Sequence, residues 1–472
     1  MALNKKHVAF SGKLIMVGFG SIGQGVLPLI LRHIDLGPEQ ITIVTADHRG
    51  HEEALSYGIN FVVNALTEEN YDAVLGSLLG PGDFLLNVSV EVSSIALMEL
   101  CHELGALYLD TCIEPWPGGY TDPSLSLSER SNYAIREKML ALRSRLSEGP
   151  TAISAHGANP GLISHWVKQA MMTIASDLEL NVQKPTSREG WAQLAHQLGI
   201  KVIHCAERDT QVAAQQKRVS EFVNTWSVDG FVSEGCQPAE LGWGSHEKYF
   251  PHDGYRHDFG CGAAICLERP GLLTRVRTWT PLEGPFHGFL ITHGESISIA
   301  DYFTIKEEDE VVYRPTVHYS YHPCDAAVLS IHEMAGKNLE VQDTHRILVS
   351  DIVEGIDELG GLLMGHGFGA YWYGSQLSVH EARKLAPYNN ATSLQVGAGI
   401  LGAMVWAIKN PFEGILDPDD LPFESVLEIA NPYLGRMVGA YTEWTPLQGR
   451  SRLFREDLDE SDPWQFKNFR VV

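Results

Sequence analysis

The sequence has no apolar run long enough to cross a bilayer: the longest, residues 396–408, ends at Lys409, well short of the roughly 20 residues a spanning helix needs. No hydrophobic leader region follows the start. Lys5-Lys6-His7 gives way only to Val8-Ala9-Phe10 before the polar Ser11-Gly12-Lys13, so a cytoplasmic protein with no membrane partner is expected. Positive charge is scarce. Against 59 Asp and Glu stand 35 Lys and Arg, a formal charge of −24, which argues against nucleic acid as a partner and weakly favours a cationic small molecule. The 7 cysteines are odd in number and include no CxxC pair, so they read as free thiols in a reducing compartment. Internal repeats and low-complexity tracts are missing, as are GxSxG, HExxH and GxxxxGK(S/T), which leaves hydrolase and P-loop readings without a positive signal.

What is present is a globular composition, with 44% hydrophobic and 20% charged residues over 472 positions, enough for two or three domains. Residues 14–17, 41–44, 60–63, 84–88 and 106–109 read as strands, separated by helical spacing over 23–33, 52–56, 70–79 and 93–104. Such alternation predicts an α/β fold, a Rossmann-type doubly wound parallel sheet, followed by a second, α+β domain for substrate binding and dimerisation. The expected division is 1–155 for the dinucleotide-binding domain, with residues 151–154 completing its sheet, and 156–390 for the second domain. In the latter, 167–174 and 191–196 look helical, and 289–292, 298–305 and 311–321 look like strands. An apolar helix over 391–409, capped at Asn390, is expected to return to the first domain, and 410–472 to form an ordered but irregular extension.

Leu14-Ile15-Met16-Val17 runs directly into Gly18-Phe19-Gly20-Ser21-Ile22-Gly23, a GxGxxG fingerprint between a strand and a helix. Gly18 makes the tight turn, Gly20 lets the backbone approach a pyrophosphate at the helix N-terminus, and Gly23 lets the helix pack on the sheet. Asp47, 24 residues beyond Gly23, is placed to accept from ribose hydroxyls, which favours NAD. Arg49 is the competing sign for NADP. Three further segments should meet outside the carboxyl ends of the strands: Asn87-Val88-Ser89-Val90, Asp110-Thr111-Cys112-Ile113-Glu114 and His156-Gly157-Ala158-Asn159-Pro160-Gly161. The expected cofactor contacts are therefore Gly18, Gly20, Ser21, Ile22, Gly23, Asp47, Val88, Ser89, Thr111, Asn159 and Pro160. Asn159-Pro160-Gly161 also reads as a plain interdomain turn.

These segments, with Pro115-Trp116, Trp226 and Ser233-Glu234-Gly235, resemble the bacterial homospermidine synthases through most of the chain. Wider relatives are the saccharopine dehydrogenase-like and carboxynorspermidine dehydrogenase enzymes. The resemblance implies a homodimer holding NAD tightly. It implies that putrescine is oxidised to an imine, ammonia leaves, a second amine condenses, and the same cofactor reduces the new imine to homospermidine. It also places Glu114 and Asn159 at the innermost amine, Trp226 and Glu234 around the reacting carbon, and Glu207 nearer the entrance.

The residue types suit a diamine, whose two ammonium groups need carboxylates and whose developing iminium suits the face of an indole. Taken singly, Trp226 also reads as core and each glutamate as a solvated face. His293 is the candidate for proton handling, as a neutral imidazole that takes the proton an ammonium must lose; it too reads as an ordinary satisfied histidine. His318, His322 and Cys324 lie close in sequence, but alternation gives them no fourth ligand, and no metal is expected. Two other readings remain. One is a net-redox dehydrogenase whose amino-acid substrate needs an arginine clamp from Arg208, Arg314 or Arg49; the other is a non-catalytic NAD-binding protein.

Overall fold

A computed structural model describes residues 5–471. The first domain follows the strand-helix alternation closely. Strands β1 (Leu14–Val17), β2 (Ile41–Thr45), β3 (Asn60–Val63), β4 (Phe84–Asn87), β5 (Leu107–Asp110) and β6 (Ala152–Ile153) form a parallel sheet in the order β6-β5-β4-β1-β2-β3. β1, β4 and β5 are buried along their whole length, because helices cover both faces of a parallel sheet. The strand order reverses direction beside β1, and this switch point faces the N-terminus of α1 (Ser21–His33). Helix α2 (Asn132–Leu146) follows, its N-terminus capped by the Ser131 hydroxyl.

The second domain centres on a ten-stranded sheet. Its strands are β7 (Val202–Asp209), β8 (Pro238–Gly242), β9 (Gly254–Arg256), β10 (Ala264–Pro270), β11 (Arg275–Thr280), β12 (Gly284–Phe289), β13 (Thr316–His322), β14 (Ile356–His366), β15 (Gly369–Ser378) and β16 (Arg436–Thr442). The main path runs β9-β10-β8-β13-β7-β14-β15-β16, and the β11–β12 hairpin joins it through β13. Only β7 and β13 pair in parallel along it; the remaining neighbours are antiparallel. Helices α3 (Leu162–Asp177), α4 (Val228–Cys236) and α5 (Gly294–Tyr302) pack around this sheet.

Four expectations change here. Residues 289–292 are strand only at Phe289, where β12 ends. Residues 298–305 do not form a strand: most of them lie in α5, whose side chains are buried on nearly every side, so no polar face betrays the helical period. The stretch 311–321 is two strands, Glu310–Tyr313 and β13, interrupted at Arg314-Pro315, where proline offers no N–H to a ladder. The segment 410–472 is less irregular than expected. Its short strand Ile415–Leu416 pairs with β6 at the edge of the first sheet, which thereby has seven strands, and β16 closes one edge of the second. Helix α6 (Ala391–Lys409) does return to the first domain, packing on α1, with the Asn390 side chain accepting from Ser393 N at 2.8 Å. Its apolar character is that of a core helix, with 83% of its most apolar stretch buried.

The domains are fastened together by buried polar contacts. The Arg136 guanidinium of α2 reaches Asp301 at 3.0 Å and Asp417 at 2.8 Å, and Glu240 accepts from Asn132 N at 2.8 Å. A charged group in these positions is stable only with such partners, so the crevice between the domains has defined walls.

Candidate active site

The crevice holds two spaces that meet at Ile22. The first, a cleft of about 330 Å³, lies at the carboxyl ends of β1, β2 and β4 and is lined by Gly18, Gly20, Ser21, Asp47, Val88 and Ser89 among others. Gly18 has φ of 86°, and a Cβ there would sit 2.9 Å from the Val88 carbonyl and the Ser89 backbone, so the turn admits only glycine. Beside Gly20 there is open room on the side where a Cβ would project, and the first turn of α1 has no side-chain cap, leaving its N–H groups free to face an anion. Gly23 lies outside the cleft wall; a Cβ there would come within 3.0 Å of the Gly18 carbonyl, which is the close packing its place in the motif implies. Asp47 accepts from Arg49 N and Arg49 Nε, both at 2.8 Å, and these bonds hold its carboxyl below the usual range. The guanidinium that offered a 2′-phosphate contact is thus engaged by the carboxylate that suits a free ribose hydroxyl. Backbone room, free N–H groups and a ribose acceptor fit a nicotinamide dinucleotide.

The second space, a cavity of about 100 Å³, gathers side chains from many segments. Thr111 and Cys112 follow β5; Asn159 and Pro160 precede α3; Glu207 lies on β7; Trp226 and Glu234 come from the entry to α4 and its body; His293 precedes α5. The Asn159–Pro160 peptide bond is cis. Every residue proposed for the reacting region except Glu114 lines this cavity. Glu114 sits just behind the wall, 5% exposed, with Oε1 3.4 Å from the Cys112 thiol, and burial followed by the charge of Glu234 pushes its carboxyl up to about 8.

His293 is held between two carboxylates, Nε2 at 3.1 Å from Glu234 and Nδ1 at 3.3 Å from Glu295. Both partners are acceptors, so both ring nitrogens donate. Burial disfavours the charged ring, but Glu295 and Glu234 outweigh it and push the imidazole up to about 10. This departs from the neutral imidazole expected of a proton acceptor: His293 stands in the site as an imidazolium. Glu207 accepts from the Tyr319 hydroxyl and from Asn159 Nδ2, the latter at 3.3 Å, while burial pushes its carboxyl up to about 8. Trp226 is half-buried, its Nε1 donating to the Tyr321 hydroxyl at 3.3 Å and its ring edge-on to Phe231 at 5.5 Å.

Sequence reasoning missed Glu295, Tyr319, Thr392 and Val396. Glu295 had a signal, its place two residues after His293. Tyr319 lay in a segment read only as sheet, and Thr392 and Val396 in a helix read only as packing. No Arg or Lys is among the residues lining the cavity. Arg208 turns to Glu283 at 3.4 Å and Asp325 at 3.3 Å, and Arg314 donates to Gly262 O at 2.7 Å and Thr304 at 2.8 Å. His318 packs against His204 with the rings tilted and their centres 3.9 Å apart, on the opposite face of the sheet from Tyr319.

Residues 14–153 match the saccharopine dehydrogenase NADP binding domain, and residues 157–441 the saccharopine dehydrogenase C-terminal domain. Homospermidine synthase from Blastochloris viridis is 53% identical over 464 residues, covering 98% of this chain and 97% of the relative. The chain belongs to the homospermidine synthase family. A homospermidine synthase from Mesorhizobium japonicum is 50% identical over 468 residues, covering 98% of this chain and 96% of its own. The crystal structure of homospermidine synthase from Legionella pneumophila in complex with NAD superposes with a TM-score of 0.92 at 47% identity, covering 98% of both chains. Saccharopine dehydrogenase from Saccharomyces cerevisiae, at 10% identity and a TM-score of 0.51, shares the fold alone. Family membership places the cleft and cavity above in a homospermidine synthase framework with a nicotinamide dinucleotide domain.

Proposed function

We propose that the chain converts two molecules of putrescine to homospermidine and ammonia, as an NAD-dependent aminobutyl transferase without net redox change. The carrying observation is the cavity wall: Glu207, Glu234 and Trp226 meet beside the dinucleotide cleft, and none of the lining residues is Arg or Lys. Such a wall suits a dication and offers no clamp for a substrate carboxylate, which counts against an amino-acid dehydrogenase.

Bound NAD, held by the cleft around Gly18, Gly20 and Asp47, supplies a hydride acceptor and then a hydride donor. The protein's own residues do the rest. Glu207 and Asn159 anchor one amine, and Glu114, behind Cys112 and close to Glu234, backs the cavity on that side. Glu234 takes the proton that the reacting ammonium must lose, on a carboxylate oxygen aimed into the cavity. His293, kept protonated by Glu295, donates from Nε2 toward Glu234 and is placed to give the departing nitrogen its proton, so that ammonia leaves neutral. The Trp226 face stabilises the cationic imine, by about 0.5–2 kcal/mol, without offering a nucleophile. The cavity is narrow, and excluding water protects the imine from hydrolysis to an aldehyde.

This reading includes a homodimer in the cytoplasm, as the family resemblance implies, with no nucleic-acid or membrane partner. It is tested with putrescine deuterated at its amine-bearing carbons, in the presence of excess unlabelled NADH. Homospermidine that keeps all of its deuterium supports one cofactor returning the hydride it took. Deuterium lost to the NADH pool contradicts it.

A further inference from the structure

We propose that the β11–β12 hairpin carries a binding site for a phosphate group, built on Arg275 and Arg277. A concavity of about 450 Å³ opens between the β11–β12 hairpin, His332 and Trp444, with His322 also in its wall, and it shares no lining residue with the catalytic cavity. In the hairpin register Arg275 pairs with Phe289 and Arg277 with His287. Residues two apart on a strand share a face about 7 Å apart, so both guanidinium groups and both partners project into the same space.

The charge there is unusual for this chain. The protein carries −24 overall, yet Arg275 has no carboxylate within ion-pair distance among the described residues. Its guanidinium lies 5.3 Å over the Phe289 ring and donates to His332 Nε2 at 3.2 Å. Arg277 donates to His287 Nε2 at 2.7 Å, and its Nε is buried with no partner among the described residues. Its one carboxylate, Glu456 at 3.8 Å, is already gripped by Arg450, whose Nε donates to it at 2.8 Å. Glu283 at the rim is engaged by Arg208. Arg277 and Arg450 therefore share one carboxylate, Arg275 has none, and the hydrogen-bonding side chains that meet Arg275 and Arg277 in the concavity are the histidines His332 and His287. Groups of this kind, desolvated on one side and short of acceptors, fit a tetrahedral dianion whose oxygens take two guanidinium forks. The space exceeds a bare phosphate, and Phe286 and Trp444 offer apolar wall for a ring attached to it. The phosphate therefore comes either free or as an ester with a planar ring.

The test is calorimetric titration of the NAD-saturated protein, which keeps the dinucleotide cleft filled, with inorganic phosphate and separately with adenosine monophosphate, at fixed ionic strength. Saturable binding at one site per chain is expected. The Arg275→Gln/Arg277→Gln variant should weaken it at least about ten-fold, whereas Arg452→Gln, an exposed arginine outside the concavity, should leave it unchanged. Tighter binding of adenosine monophosphate supports an ester ligand; equal binding supports free phosphate. No saturable binding, or binding that survives the double substitution, overturns the proposal. Arg275→Gln alone, at an exposed position with no carboxylate partner, decides the point if the double variant does not fold.

Discussion

The dinucleotide cleft and the catalytic cavity share Ile22 as a wall, yet the cleft is lined mostly by the loops that follow strands of the first domain, with the Gly18 to Ser21 turn among them, and the cavity by side chains from segments as far apart as Thr111 and Thr392. The cleft depends on what Gly18 and Gly20 lack, whereas the cavity depends on what Glu207, Trp226, Glu234 and His293 carry. Damage to the first should therefore appear as lost cofactor affinity, and damage to the second as lost turnover with cofactor still bound.

The largest expected effect is at Glu234. Glu234→Gln keeps the size of the side chain but removes the proton acceptor beside His293, so kcat should fall about 100-fold or more while NAD affinity stays unchanged, read by steady-state kinetics and cofactor titration. Loss of NAD affinity in this variant would blur the division. Next comes the cleft: Gly18→Ala must adopt a left-handed backbone with its Cβ against Val88 and Ser89, at about 1–3 kcal/mol, and should show weakened NAD binding with kcat largely kept at saturating NAD. Trp226→Ala should lower turnover about 2- to 30-fold, the range of one cation–π contact, with only a small change in melting temperature because the ring is half-buried. A collapse in stability would make it a core residue instead.

The smallest effect is protonic. Glu207 and Glu114 have carboxyls pushed up to about 8, so near neutral pH they hold protons that a dication must displace. Putrescine binding should then release protons at about pH 7, and its affinity should rise as pH increases through about 8, visible by calorimetry in buffers of different ionisation enthalpy. Proton uptake would reverse the assigned states. His293 has the opposite sign. Its raised value means that its contribution to stability is complete below its ordinary 6.5 and is lost as pH rises through about 10.

The same contrast governs what could be read from sequence. A glycine turn and strands buried on both faces leave local patterns, so the strands of the first domain and the Gly18 to Ser21 wall of the cleft were legible, whereas Ser227, Asp229 and Ile347 on its far side were not, and Thr111, Asn159 and Pro160, expected at the cofactor, line the other cavity. The pairing of His293 with Glu234 spans 59 residues and depends on α5, which sequence patterning took for a strand because Ser298-Ile299-Ala300 is buried on every side. With that helix misread, the protonation state of His293 was misread as well, since Glu295 could not be placed. Glu207 and Tyr319 meet only because β7 and β13 run parallel in register, and no local pattern announces a parallel pair between strands 112 residues apart.

The central claim is that one active site both oxidises and reduces without net consumption of cofactor. Purified protein incubated with excess putrescine and a trace of NAD, with homospermidine, ammonia and NADH followed together, tests it most directly. Homospermidine and ammonia should rise in step, with many turnovers per NAD and no accumulation of NADH. NADH rising in proportion to putrescine consumed, with product capped by the NAD supplied, would contradict it.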